Sequence, residues 1–138
     1  MAYWLLKTEP DDWSWDQQVA KGKTGEVWTG VRNAQARNFI REMKKGDLAF
    51  FYHTGEEKQV VGVVKVTKEA YQDPTTEDER WLVVDVVAVE PVPKPVTLAA
   101  IKAEPKLEEM KLVKNARLSV QPVTEKEWKL VRKMAGLK

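Results

Sequence analysis

Apolar residues along this chain follow two different periods, and the switches between them mark the elements. Tyr3 to Leu6 is a short apolar run that reads as a strand. Lys7-Thr8-Glu9-Pro10 ends it, because proline lacks a backbone donor and biases the residue before it away from helix. The stretch Asp11 to Asp16 is rich in capping residues and leads a short helix through Gln17 to Ala20, ended around Gly22. Glu26 to Thr29 is a brief extended piece before Gly30. From Asn33 the period becomes helical: Ala36, Phe39, Ile40 and Met43 recur at i, i+3, i+4 and i+7 as one buried stripe. Arg37, Arg41 and Lys44 lie opposite that stripe, Asn33 is the N-cap, and Gly46-Asp47 is the stop.

The helical period then gives way to extended segments. Leu48 to His53 is an aromatic strand, and Gln59 to Thr67 is a second, with Gly62 as a bulge or a point of close approach. Glu69 to Glu79 reads as an acidic loop and Arg80 to Glu90 as the longest strand, apolar on both faces. Pro91, Pro93 and Pro95 read as an extended connector. Thr97 caps a short helix from Leu98 to Ala103, Leu107 to Val113 makes another helical turn or two, and Leu118 to Gln121 is a closing strand. Thr124 and Glu127 form a capping box for a last helix, Glu125 to Ala135, with Trp128, Val131 and Met134 as its buried stripe. Strands interleaved with short helices, without a βαβ rhythm or repeat, predict an α+β fold: a mostly antiparallel barrel with helices around its openings.

Composition bounds this picture. A chain of 138 residues, 43% of them hydrophobic, suits one domain spanning 1–138 with one core. The absence of cysteine excludes disulfides and cysteine-ligated zinc. No apolar run has the length of a signal peptide or a membrane span, so a soluble, cytoplasmic, monomeric protein is expected. The net charge of +2 says little, but its distribution says more. Arg32, Arg37, Arg41, Lys44 and Lys45 cluster against Glu42, whereas residues 73–90 hold six carboxylates against Arg80. A basic side and an acidic side are expected.

Several chemistries are missing. With one histidine, His53, and no cysteine, a transition-metal site is not expected, nor is a cofactor, since no glycine-rich phosphate loop occurs. A Ser119–His53 pair is conceivable but has no identifiable orienting acid, and a lone strand-end histidine is more often structural. The adjacent pairs Asp11/Asp12, Glu56/Glu57 and Asp78/Glu79 read as solvated charge.

What is present is a set of residues that strand ends and one helix N-terminus can gather: Lys7, Thr8, Trp28, Arg32, Asn33, Phe51, Tyr52, His53 and Ser119. An indole to stack on, amide and hydroxyl groups to read an edge, and cations for phosphate are what a flipped nucleobase needs. Each residue also has a plainer use. Trp28 can be a core anchor, Arg32 can pair with the acidic loop, and Asn33 can be only a cap.

The segments YWLLKTEP, VWTGVRNAQARNFIREMKKGDLAFFYH, VVGVVKV, WLVVDVV, PVTLAAIKA and RLSVQPVTEKEW, in that order, resemble the EVE domain family from Tyr3 to Trp128. The resemblance implies a PUA-like barrel related to the YTH readers of methylated adenine in RNA. It also implies a pocket for a modified base, of the 5-substituted cytosine type, in DNA or RNA. Carried onto this chain, it makes Trp28 the stacking wall and Asn33 an edge reader, with Val31 and Arg32 between them. Lys7 and Thr8 then stand at the mouth, and Phe51, Tyr52, His53 and Ser119 line the pocket. Thr8 stands where many relatives carry serine, and Thr29 where many carry an acidic residue. The expected partner is nucleic acid, with Arg37, Arg41 and Lys44 positioning phosphates. The alternatives are an enzyme using His53 or Lys7 for proton transfer, and a module binding a small molecule or a protein segment.

Overall fold

The computed structural model describes residues 1–137. Among these residues six strands and five α-helices follow in the order β1 (Tyr3–Thr8), α1 (Trp15–Ala20), β2 (Glu26–Val27), α2 (Ala34–Glu42), β3 (Leu48–His53), β4 (Gln59–Gln72), β5 (Leu82–Thr97), α3 (Leu98–Ala103), α4 (Lys111–Lys114), β6 (Val120–Val123) and α5 (Glu125–Met134). The fold is α+β, and among the described residues no helix is long and apolar enough to cross a membrane.

The helices form where capping chemistry starts them. Ser14 and Gln17 make a capping box for α1, and Thr124 and Glu127 make one for α5. The Asn33 side chain accepts the Ala36 N–H at 2.9 Å to open α2. Met43, at the other end, is already extended. Asp47, 4% exposed, then fastens the following turn by accepting the Trp4 indole N–H and the Lys44 N–H, both at 3.0 Å.

The strands lie in the order β2-β5-β4-β3-β1-β6 in one sheet. Among the described residues only β1 and β3 pair in parallel; the other ladders are antiparallel. The sheet is not closed, because β2 and β6 stand at its two ends, so the barrel expected from the sequence is not confirmed. The reason lies at β2, which offers only Glu26 and Val27 to β5 before the chain turns away through Gly30 at φ 82°. Helix α2 packs against both β5 and β6.

Both faces of the sheet are covered, because neighbouring strand residues point to opposite sides. Trp4, Leu6, Ala49 and Phe51 belong to a core under α2, together with Trp15 and Trp28. Leu5, Phe50 and Tyr52 belong to a second core under α3, α4 and α5, centred on Trp128. Burial on both faces explains why Leu48–His53 is continuously apolar instead of alternating.

Two expectations about the long hairpin are corrected. The presumed acidic loop begins later, because β4 runs on to Gln72, where Tyr71 pairs with Val83 and Gln72 with Leu82. The Tyr71 hydroxyl donates to Asp85 at 2.6 Å, and burial, then that carboxylate, push its pKa up to about 12. The proline connector is also part of a strand: β5 continues to Thr97, with Val60 opposite Val96. Prolines fit there because β2 reaches only Asp85 and Val86, leaving that end of β5 an edge with no ladder donor required.

Candidate functional site

The C-terminal ends of the parallel strands β1 and β3 lie side by side, with Lys7 opposite Tyr52 and Thr8 opposite His53. Ser119, just before β6, joins them through its carbonyl, which accepts the Lys7 N–H at 3.0 Å. Two concavities meet at Lys7 and Thr8. The smaller, about 100 Å³, is lined by Lys7, Thr8, Trp13, Val27, Trp28 and Thr29. The larger, about 500 Å³, continues past Tyr52 and Ser119 and gathers Lys58, Lys102 and Arg117, with one carboxylate, Glu9.

The small cavity has fixed walls. Trp28, 6% exposed, meets Phe51 edge-on at 5.6 Å, and its backbone N–H donates to the Val84 carbonyl. Trp13 is held by its indole N–H, which donates to Gln18 at 2.9 Å, and the fully buried Gln18 amide donates in turn to the Val86 carbonyl at 3.1 Å. The Thr8 hydroxyl donates to the Trp13 carbonyl at 2.9 Å. Lys7 borders both cavities; its ammonium donates to the Ala116 carbonyl at 2.6 Å and lies 5.9 Å from the Tyr52 ring centre. Burial pulls the Lys7 amine below its ordinary range and pushes the Tyr52 hydroxyl above its own.

The remaining sequence candidates lie elsewhere. Phe51 sits behind the cavity wall, edge-on to Trp15 and His53 as well as Trp28. His53 is 7% exposed and has both ring nitrogens engaged: Nε2 accepts the Trp15 N–H at 3.0 Å, and Nδ1 lies 2.9 Å from Glu57. Nδ1 therefore carries the proton, and hydrogen bonding to His53 draws the Glu57 carboxyl below its usual value. The conceivable Ser119–His53 pair is not formed. Val31 is buried in the core under α2. Asn33 caps α2 from an exposed position. Arg32 turns outward to Asp73, which is fully buried, at 2.9 Å.

That ion pair corrects the expected separation of a basic and an acidic side. Both Arg32 and Arg37 lie over the ring of Trp81, at the end of the acidic loop, so the two charged segments meet. Arg37 also donates to Asn38, and neither Arg41 nor Lys44 lines either cavity. Among the described residues no group of three or more histidines and carboxylates is arranged to hold a metal ion.

Sequence reasoning missed Trp13, Lys58, Lys102 and Arg117. Trp13 was legible only as part of a capping segment. The three cations come from separate segments that meet only when α3 and the stretch before β6 fold over the β1 and β3 ends. Lys58 carried one local sign in the structure, a left-handed backbone with φ 46°, pinned as its carbonyl accepts the Leu98 N–H at 2.8 Å.

Residues 2–134 match the profile of the EVE domain. The chain belongs to the EVE domain family. Thymocyte nuclear protein 1 of Gallus gallus is 36% identical over an alignment covering 94% of this chain and 66% of that protein. The Homo sapiens protein of the same name is 34% identical, with 94% of this chain and 72% of that protein covered. The chain thus spans about two thirds of the length of these relatives. Among solved EVE-like structures, a protein of Agrobacterium tumefaciens superposes with a TM-score of 0.97 at 55% identity, covering 99% of this chain and 94% of that one. The human THYN1 protein, in complex with DNA containing 5-methylcytosine, superposes at 0.92 with 32% identity, covering 100% and 99%. A YTH domain of Zygosaccharomyces rouxii shares the fold at a TM-score of 0.60 and 15% identity, with 99% and 88% covered.

Proposed function

We propose that this EVE domain is a nucleic-acid reader that takes an extruded, modified pyrimidine of the 5-substituted cytosine type into the cavity between Trp13 and Trp28. The observation that carries the reading is a cavity of about 100 Å³, lined by two indoles and opening beside a groove rich in cations. A volume on the order of 100–150 Å³ admits a single six-membered ring, and a fused purine is a poorer fit. The human relative crystallised with DNA containing 5-methylcytosine supports the same class of ligand.

In this reading the indoles supply the stacking faces and the Thr8 hydroxyl is a polar contact for the base edge. Lys7, standing between the cavities, takes the phosphate at the extruded nucleotide. Trp28 and Val31 also serve the core, so the roles first assigned to Trp28, Asn33 and Arg32 divide. Trp28 keeps the wall, while Asn33 and Arg32 build the turn that holds it.

The test is fluorescence anisotropy with oligonucleotides carrying 5-methylcytosine or plain cytosine, as DNA and as RNA. Stacking on an aromatic side chain is worth about 1–3 kcal/mol per base, so Trp13→Ala is expected to weaken binding of the modified oligonucleotide roughly five- to hundredfold. Trp13 is only partly buried, so the variant should keep its circular dichroism spectrum. A folded Trp13→Ala protein that binds as tightly as wild type overturns the pocket assignment.

A further inference from the structure

We propose that a second groove, lined by lysines on α5, continues the nucleic-acid path and holds phosphates of the nucleotides flanking the inserted base. This inference rests on the reader function proposed above. The groove has a volume of about 630 Å³ and is lined by Lys106, Lys126, Lys129, Leu130 and Lys133. Lys126, Lys129 and Lys133 follow one another at i, i+3 and i+7, so they share one face of α5 and rise over about 10 Å. All four lysines are exposed.

Among the described residues no carboxylate lines it. Among the described residues one of the four ammonium groups is in an ion pair, Lys129 with Glu125 at 3.2 Å, and both partners are about 70% exposed, so water weakens that contact. Like charges gathered in a concavity repel, and a polyanion relieves the repulsion while releasing its own counterions.

A strand of nucleic acid, in preference to an acidic peptide, is favoured by the short chain distance between the two grooves and the base cavity beside the first of them. Lys102 lines the groove beside the base cavity, and Lys106 lines this one. They are four residues apart across the end of α3, which limits their separation to roughly 14 Å. Successive phosphates of one DNA strand rise about 3.4 Å each, so about four nucleotides bridge the interval. The cations then form one track: Lys7, Lys58 and Arg117 near the base, Lys102 and Lys106 at the crossing, and the α5 lysines beyond.

The experiment measures binding of single-stranded DNA with one central 5-methylcytosine, in a short form of about four nucleotides and a long form of about sixteen. The proteins are wild type and a variant carrying Lys106→Gln, Lys126→Gln, Lys129→Gln and Lys133→Gln. Expected is equal binding of the short form and a loss of tenfold or more on the long form at low salt. The slope of log affinity against log salt should fall by about 2–3, since each lost contact to a single strand removes about 0.7. The corresponding set of Lys→Arg changes should restore long-form binding.

Equal binding of the long form by wild type and the glutamine variant overturns the proposal. So does a loss that is the same for both lengths. If wild type binds the short form no better with 5-methylcytosine than with cytosine, the base-reading function fails instead, while a length-dependent loss still reports the track.

Discussion

Gly62→Ala is expected to destabilise the protein by about 3 kcal/mol, lowering its melting temperature by roughly 10 °C, the upper range for forcing a methyl group into a packed site. The backbone is not the reason, since Gly62 does not have a positive φ and alanine can adopt its conformation. The obstacle is the Trp15 indole, whose six-membered ring lies where a Cβ would stand. That ring cannot retreat. The Trp15 backbone N–H is held by His53 Nε2 at 3.0 Å, and its ring meets Phe51 edge-on at 5.3 Å. Gly62 in turn sits opposite Phe51, at register shifts in both of its ladders, so β4 has little freedom to move away. Thermal denaturation followed by circular dichroism provides the check. Trp15→Leu should cost less in the Gly62→Ala background than in wild type, because it removes the overlap. A Gly62→Ala protein melting within a degree or two of wild type would sink this account.

The second large effect concerns Arg32, which sequence adjacency to Trp28 had made a candidate for ligand contact. Removing its side chain is expected to cost roughly 2–3 kcal/mol, because Asp73 is left buried without its guanidinium partner. The figure lies below the range of about 3–5 kcal/mol for a broken buried pair, since Arg32 itself is 41% exposed and Thr75 still donates its N–H and hydroxyl to Asp73. The effect should depend on pH with a definite sign. Burial pushes the Asp73 carboxyl up, but hydrogen bonds from Thr75 and Arg32 and the guanidinium charge outweigh it, so the folded value lies below the ordinary 3.8. A depressed carboxyl contributes stability that is present above 3.8 and lost as pH falls through the folded value. The gap between wild type and Arg32→Ala should therefore be full near neutrality and narrow in acid. Urea titrations at several pH values measure it. A variant of wild-type stability with weakened oligonucleotide binding would instead return Arg32 to the ligand.

Local chemistry made much of the fold legible. The 3.6 period of Ala36, Phe39, Ile40 and Met43, the Asn33 cap and the Thr124/Glu127 capping box are short-range properties of a few neighbouring residues, and α2 and α5 form as that pattern dictates. Gly62 was readable as a point of close approach because glycine within a strand has few other uses. The limits of β4 and β5 were not readable, since acidic residues and prolines disfavour strands by propensity. Here a long hairpin with one free edge overrides that preference.

The site divides in the same way. Lys7, Thr8, Trp28 and Ser119 were legible as residues at strand ends and beside a turn, and the fold brings Lys7 next to both Trp28 and Ser119. What tertiary structure alone decided was the company they keep. Trp13 reaches the cavity through Gln18 and Val86, which lies 73 residues away. Lys102 and Arg117 reach the groove only because α3 and the segment before β6 cross the end of the sheet. Arg32 leaves the site for Asp73, a partner 41 residues on. Residue type and spacing, by themselves, determined which elements form and which side chains carry useful chemistry. Which of those side chains share a cavity depends on long-range strand pairing and helix packing, whose energies lie between segments and are written in no single stretch of the chain.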